Sequence, residues 1–136
     1  SFLNFAPGPE VVSARPHRPA MTFRDSIGRW PSYIDVRGAA VISEDGLLIH
    51  DMFPSDADGE AVAALALALL SQAEQIGHAA GGDATGNVVV ELDAGPVVVT
   101  RLDRQHSLVV LAEPGRDIGA LLFDIRRHRT QLSEAV

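Results

Sequence analysis

Five short runs of apolar and β-branched residues recur along the chain, and each has the length of a β-strand. They occupy residues 36–43, 47–53, 87–92, 96–102 and 107–112. Glu44-Asp45-Gly46 separates the first two runs, and Asp-Gly between apolar runs is a strong signal of a β-hairpin. Ala94-Gly95 and residues 103–106 separate the last three runs. The pattern therefore predicts a hairpin followed by a three-stranded meander.

Helical signals predict three helices among these strands. Thr22 and Asp25 have the spacing of a capping box, so a short helix is expected there until Pro31 ends it. A long helix is expected over residues 58–79, directly after the hairpin. The last helix follows Asp117, and its apolar residues share one face: Ile118, Leu121, Leu122, Ile125 and Leu132. The order α-β-β-α-β-β-β-α, with antiparallel hairpins and helices set against a sheet, predicts an α+β domain.

The first 21 residues lack any periodicity and carry four of the eight prolines, at positions 7, 9, 16 and 19. This composition is typical of an extended linker. We therefore predict a Pro-rich tail or linker over residues 1–21 and a folded domain over residues 22–136. A polyproline ligand for another protein is the alternative interpretation of the tail.

The long helix is too apolar to have only one buried side. At 100° per residue its apolar arc covers roughly 220°, about twice what one core requires. One face is expected to pack on the sheet, and it carries Val62, Leu65, Leu69, Ala73 and Ile76. The adjoining flank is almost as apolar, with Ala63, Ala66, Leu67, Leu70 and Gly77. Either the N-terminal segment of the chain covers this flank, or a second copy of the chain does.

We favour the second explanation and predict a homodimer. Small residues on the flank allow two helices to approach closely, and a twofold axis places the same patch opposite itself. The run 87–92 adds a second contact, because it is rich in valine, carries only Glu91 as a charge, and would invite pairing as an exposed edge. The predicted interface residues are Ala63, Ala66, Leu67, Leu70, Val88 and Val90.

Length, charge and composition favour a small folded domain over a nucleic-acid-binding or membrane-spanning protein. A chain of 136 residues is long enough for one domain with a core. A net charge of −7 argues against a nucleic-acid partner, because phosphate binding needs a basic surface. The longest apolar run, residues 61–70, is far shorter than the roughly 20 residues of a membrane span. The expectation is a soluble cytoplasmic protein, and the all-arginine basic set with abundant alanine is typical of a GC-rich bacterial genome.

The sequence contains no recognisable catalytic or cofactor motif. No Gly-rich loop ends in Lys-Ser or Lys-Thr, so the chain is not itself a P-loop NTPase. The five histidines lack the spacing of zinc ligands, and Asp56-Ala57-Asp58-Gly59 matches only the start of a calcium loop. No orienting carboxylate is expected near His106 and Ser107, so a nucleophile is not predicted there. We therefore predict a non-enzyme without metal or cofactor.

Arg126, Arg127 and Arg129 form the one cluster of basic residues in the last helix. They suit a helix C-terminus, where cations interact favourably with the helix dipole. A docking surface for an acidic partner is the alternative.

Three segments resemble the Roadblock (dynein light chain) family in their order and spacing, over about residues 22–133. Residues 36–49, Val-Arg-Gly-Ala-Ala-Val-Ile-Ser-Glu-Asp-Gly-Leu-Leu-Ile, resemble the first hairpin of that family, and the Ala/Leu helix that follows resembles its dimer helix. Asp117-Ile118-Gly119 stands where the family has Asn-Leu-Gly at the start of the last helix. The resemblance implies a profilin-like fold, in which a five-stranded antiparallel sheet is flanked by helices. It also implies dimers that join two sheets edge to edge, with the long helices side by side.

Bacterial members of that family regulate small Ras-like GTPases, so the resemblance implies a dimeric regulator or scaffold for such a GTPase. The candidate GTPase-binding residues form the polar stripe of the long helix: Glu60, Ser71, Gln75 and His78. The helix contains no arginine to act as a catalytic finger, although Arg37, Arg101, Arg104 and Arg116 lie elsewhere. A profilin-like module that binds a ligand or peptide is the alternative, and a hydrolase with an unrecognised site is a more distant one.

Overall fold

A computed structural model of the protein describes residues 21–82 and 86–136, so most of the predicted tail lies outside the described residues. Its elements are α1 (Phe23–Gly28), a 3₁₀ helix (Tyr33–Asp35), β1 (Val36–Ser43), β2 (Leu48–Asp51), α2 (Gly59–Ala79), β3 (Val88–Val90), β4 (Val97–Arg101), β5 (His106–Ala112) and α3 (Ile118–Glu134). Apart from the 3₁₀ helix, which was not predicted, this is the predicted order of helices and strands. The predicted fold class is confirmed.

The five strands form one antiparallel sheet in the order β2-β1-β5-β4-β3. The two longest strands, β1 and β5, therefore lie at the centre, where side chains on both faces are buried. The hairpin pairs β1 with β2, with a register shift between Val41 and Ile42. At the other side of the sheet the three-residue β3 pairs only with β4. The Val-rich run thus forms an edge of the sheet, as predicted.

Each α-helix begins at a side chain that accepts a hydrogen bond from the backbone of its first turn. Thr22 caps α1, Asp58 caps α2 and Asp117 caps α3, at 3.1, 3.2 and 3.3 Å. These acceptors satisfy amide groups that have no partner within the helix. The hairpin turn contains Gly46 at a φ of 85°, in the left-handed region that glycine enters without strain.

The helices form two layers, one on each face of the sheet. On one face α1 and α3 enclose a core that includes Ile27, Trp30 and Ile125. On the other face α2 packs alone over a second core that includes Val99 and Val109. Consequently α2 has the sheet on one side and no described element on the other.

The predicted orientation of α2 is wrong. Ala63 and Leu70 are fully buried against the sheet and Ala66 is almost so, whereas these residues were expected on the outer flank. Leu65 and Ile76, which were expected to pack on the sheet, are 70% and 68% exposed. The alanines bring the helix backbone close to the β-branched side chains of the sheet. Because this helix is apolar over most of its circumference, the periodicity of its apolar residues does not indicate which face packs on the sheet.

A buried carboxylate links the segment after α1 to α3. Asp124 is 4% exposed, and its Oδ2 accepts hydrogen bonds from the backbone N–H of Ser32 at 3.1 Å and from its hydroxyl at 2.5 Å. We expect Asp124→Ala to lower the free energy of unfolding by about 2 kcal/mol, because both donors of Ser32 would stay buried without an acceptor. Chemical denaturation followed by circular dichroism measures this loss.

The control for this prediction is Asp117→Ala, which removes an exposed cap from the same helix. It should cost about 1 kcal/mol, the usual value of an N-cap. A loss at Asp124 no larger than the loss at Asp117 would contradict the role assigned to the buried carboxylate.

Candidate functional site

An apolar groove runs between α2 and the β3 side of the sheet. It has a volume of about 220 Å³, and every residue that lines it is apolar: Val62, Leu65, Ala66, Leu69, Val90, Leu92, Val97 and Val99. Leu65 and Leu92, at its rim, are 70% and 54% exposed. Water-exposed leucines beside a continuous apolar groove are typical of a surface that another protein covers.

Strand β3 continues this surface as a free edge of the sheet. Val88 and Val90 are half-buried and pack toward α2, while Val89 is on the other face and 37% exposed. Because β3 pairs only with β4, its outer backbone groups face away from the sheet. A short unpaired edge with valine side chains can accept another strand.

The structure disperses the six residues predicted for the dimer interface. Ala63, Ala66 and Leu70 belong to the core of the chain itself, so they offer a partner almost no surface. Leu67 lies on the opposite flank of α2, near Gly46 in the hairpin turn. Val88 and Val90 are beside the groove, and their place in an interface stays a prediction.

Sequence reasoning missed the exposed leucines of the groove and Ile76, which prolongs the same side of α2. The apolar width of the helix correctly indicated that α2 carries apolar side chains beyond those that pack on the sheet. The rotation of the helix about its own axis decides which of these side chains are exposed. That rotation is set by packing against strands that are distant from the helix in the sequence.

The four candidate GTPase-binding residues form one exposed stripe on α2. Glu60, Ser71, Gln75 and His78 lie within about 60° of each other at 100° per residue, and all four are exposed. From Glu60 to His78 the stripe advances 18 positions, or about 27 Å along the helix axis. At the same 100° per residue, Leu65 and Ile76 are about 80–160° around the helix from the stripe, so the stripe and the groove lie on different sides of α2.

An ion pair fixes the second half of α2 to strand β4. Arg101 donates to both carboxylate oxygens of Glu74, at 2.5 Å from Nε and 3.0 Å from Nη2. The hydrogen bond to Glu74 raises the pKa of Arg101, against the opposing effect of burial. Such a bidentate contact holds both side chains in one geometry. The side chain of Arg101 therefore has a structural role, in which it holds α2 against β4.

His106 has a carboxylate neighbour that the sequence did not predict. Asp103 Oδ1 lies 3.0 Å from His106 Nδ1, and Asp103 Oδ2 accepts a hydrogen bond from the Ser133 hydroxyl at 2.6 Å. Burial raises the pKa of Asp103, but the hydrogen bonds from Ser133, the backbone of Gln105 and His106 outweigh it, and the pKa is lowered. A lowered carboxyl pKa stabilises the fold at neutral pH, and this contribution is lost as the pH falls through the lowered value. The contacts tie the β4–β5 turn to the end of α3.

The described residues hold no group of three or more histidine, cysteine, aspartate or glutamate side chains arranged to bind a metal ion. Within the same part of the chain, none of the helices has both the length and the apolar character needed to cross a bilayer.

Comparison with known proteins gives one family. The sequence model of the Roadblock/LC7 domain matches residues 28–112, which is more than half of the chain and runs from the end of α1 through β5. A curated protein of Methanocaldococcus jannaschii, described as uncharacterized, is 25% identical over 91 residues, which are 67% of this chain and 69% of that protein.

Solved structures agree with this match. A Roadblock/LC7 domain from Streptomyces avermitilis is 27% identical and has a TM-score of 0.67, with 81% of this chain and 90% of that chain covered. MglB from Myxococcus xanthus also has a TM-score of 0.67 at 14% identity, with 85% and 89% covered. At 14% identity the likeness concerns the fold alone.

Proposed function

This chain belongs to the Roadblock/LC7 domain family, and from that membership we propose that it is a dimeric, non-enzymatic regulator or scaffold for a small Ras-like GTPase. The observation that carries the proposal is the apolar surface formed by the groove, the β3 edge and the exposed side of α2. Such a surface is costly to leave in water, and it has the shape of a contact with a second protein.

The dimer would use this surface twice. A twofold axis beside β3 pairs the two edges and sets α2 of one copy against α2 of the other. In this arrangement Leu65, Leu69 and Leu92 leave water on both copies at once, and the free backbone groups of β3 gain partners. The interface proposed here therefore replaces the alanines and Leu70 of α2 by its exposed leucines, and keeps Val88 and Val90.

The GTPase would bind across the paired α2 helices. The stripe that runs from Glu60 to His78 stays exposed when the leucine side is covered, because it lies on another side of the same helix. Two copies of the stripe form a wide polar surface. Polar side chains on it can hold switch segments of a GTPase and favour one of their arrangements.

The test is affinity purification of the tagged protein from cells that make it, followed by mass spectrometry and binding measurements on the purified partner. We expect a P-loop GTPase whose affinity for the protein differs between its GDP-bound and GTP-analogue-bound forms. Equal affinities would support a scaffold, because a ligand shifts an equilibrium only through differential binding. Absence of any GTPase, with the purified protein folded and dimeric, would contradict the proposal.

A profilin-like peptide-binding module is the second candidate, and the free β3 edge favours it. An extended peptide can add a strand to such an edge, with side chains in the adjoining groove. This function requires that the edge be free in solution, so a protein that is monomeric at tens of micromolar would favour the peptide module over the regulator.

A further inference from the structure

A second cluster of exposed apolar side chains lies on the face of the sheet opposite α2. Tyr33, Ile34 and Phe123 are 48%, 72% and 54% exposed, and they come from the 3₁₀ helix and from α3. A groove of about 380 Å³ joins these two elements, lined by Pro31, Ser32, Asp35, Ala120, Phe123 and Asp124. A neighbouring groove of about 480 Å³ is lined by Arg24, Asp25, Gly28, Arg29 and Tyr33.

Arg126 and Arg127 lie beside Phe123 on the exposed side of α3. At 100° per residue both are within about 60° of Phe123 around the helix axis. They occupy the middle of Ile118–Glu134, and the last turn of this helix has no basic residue. The interpretation that these arginines serve the helix C-terminus is therefore wrong, since the dipole effect is confined to the terminal turn.

The third arginine of this cluster has a different role. Arg129 is half-buried and donates from Nη2 to the hydroxyl of Thr100 at 2.9 Å, so it belongs to the packing of α3 on β4. Arg126 and Arg127 are exposed, and neither forms an ion pair with any residue of 21–82 or 86–136. Their charge is available to a partner.

The two faces of the protein differ in charge. The chain has a net charge of −7, and the 21 residues of α2 contain Glu60 and Glu74 but no arginine. Across the sheet, α1 and α3 expose Arg24, Arg126 and Arg127 against the carboxylates of Asp25 and Glu134. Arg29 follows α1 directly, so the exposed charges of these elements are positive on balance. Exposed arginines of an acidic protein are thus gathered around the exposed aromatic residues, and this combination is typical of the energetic centre of a protein interface.

We propose that this surface docks an acidic amphipathic segment of a second protein. The surface, called the α1–α3 patch, consists of Arg29, Tyr33, Ile34, Phe123, Arg126 and Arg127. Apolar side chains of the segment enter the groove beside Phe123, while its carboxylates pair with the arginines. Because the α1–α3 patch and the exposed stripe of α2 lie on opposite faces, both can be occupied at once, and the protein joins two partners. The proposal does not depend on what binds α2.

The shape and charge of the patch favour a protein segment over a membrane surface. Each of the three exposed arginines of the patch would contribute about 1 kcal/mol at an anionic bilayer, and the net negative charge of the whole protein opposes that attraction. The two grooves are concave, which suits inserted side chains of a peptide better than a flat layer of headgroups.

The test uses a phage library of random 16-residue peptides, selected on the immobilised full chain with counter-selection on the Arg127→Glu variant. We expect the enriched peptides to be acidic, with large apolar residues at helical spacing. By fluorescence anisotropy, an enriched peptide should bind at least about fivefold more weakly to Arg127→Glu and to Phe123→Ala. The matched control, Arg104→Glu, makes the same charge change in the exposed β4–β5 turn and should change the affinity less than twofold.

Several outcomes would overturn the proposal. Enriched peptides without net negative charge, or equal loss of affinity in Arg104→Glu and Arg127→Glu, would mean that the patch has no specific acidic ligand. Vesicles containing anionic lipid that bind the wild type but not Arg127→Glu, with no peptide enriched, would assign the patch to membranes. Self-association that Arg127→Glu abolishes would assign it to a second copy of the chain. Thermal unfolding of each variant verifies that its fold is unchanged.

Discussion

Leu70→Arg is expected to unfold the protein, whereas Leu65→Arg is expected to leave it folded and split the dimer. Leu70 is fully buried between α2 and the sheet, so an arginine there would lack water and a countercharge, at a cost of several kcal/mol. That is a large part of the 5–15 kcal/mol that stabilises a typical domain. Leu65 is 70% exposed, and in the proposed dimer an arginine there would enter an apolar contact shared by both copies.

Circular dichroism during heating and light scattering at tens of micromolar distinguish these outcomes. The matched control is Ile34→Arg, which changes an equally exposed residue on the opposite face and should preserve both fold and dimer. A wild-type monomer at these concentrations would refute the dimer. A Leu65→Arg variant that stays dimeric would show that the two copies meet on another surface.

Signals that lie close together in the sequence predicted most of the fold. The hairpin follows from Asp45-Gly46, and the starts of the helices follow from Thr22, Asp58 and Asp117, because a turn or a cap depends on residues two to four positions apart. The five strands were found for the same reason. Each run has the length of a strand, is rich in β-branched residues and is bounded by turn residues.

Contacts between distant parts of the chain could not be predicted. Ser32 and Asp124 are 92 positions apart, and Glu74 and Arg101 are 27 apart, so no local pattern brings them together. The rotation of α2 about its axis likewise depends on contacts between distant parts of the chain. The composition of α2 predicted that this segment is a helix. Whether Ala63 or Leu65 is buried depends on how closely the helix approaches the sheet.

The candidate site could be predicted only in part, because it too depends on contacts between distant parts of the chain. The width of the apolar arc of α2 correctly indicated that apolar side chains of the helix stay exposed, and the polar stripe could be located because its four residues differ chemically from their neighbours. The exposed leucines could not be separated from the buried ones in a helix where nearly every position is apolar. Whether Arg126 and Arg127 lie in the middle or in the last turn of α3 depends on where that helix ends. The residues that follow them carry no strong signal for the end of a helix, so this position could not be predicted.

The positions of the arginines bear on how the protein would act on a GTPase. Of the four arginines outside α2 that were considered as fingers, three have partners in the chain. Arg37 Nε donates to the Ala112 carbonyl at 3.1 Å, Arg101 pairs with Glu74, and Arg116 Nε lies 3.6 Å from an Asp35 carboxylate oxygen. Withdrawing any of them would cost the fold a contact, so a mechanism that orders the catalytic groups of the GTPase fits the structure better.

We therefore expect that no single arginine-to-alanine change at positions 37, 101, 104 or 116 lowers GTP turnover by the cognate GTPase beyond about tenfold. Removal of a true arginine finger costs about 10³–10⁵ in rate, so the two mechanisms are well separated. By contrast Ser71→Arg, in the middle of the exposed stripe, should return turnover to the rate of the GTPase alone, because its bulk and charge prevent docking. Single-turnover rates and binding isotherms, measured together, separate catalysis from affinity. A loss of about 10³ in rate from one arginine, with binding retained, would refute the ordering mechanism, and full activity in Ser71→Arg would remove the stripe from the GTPase surface.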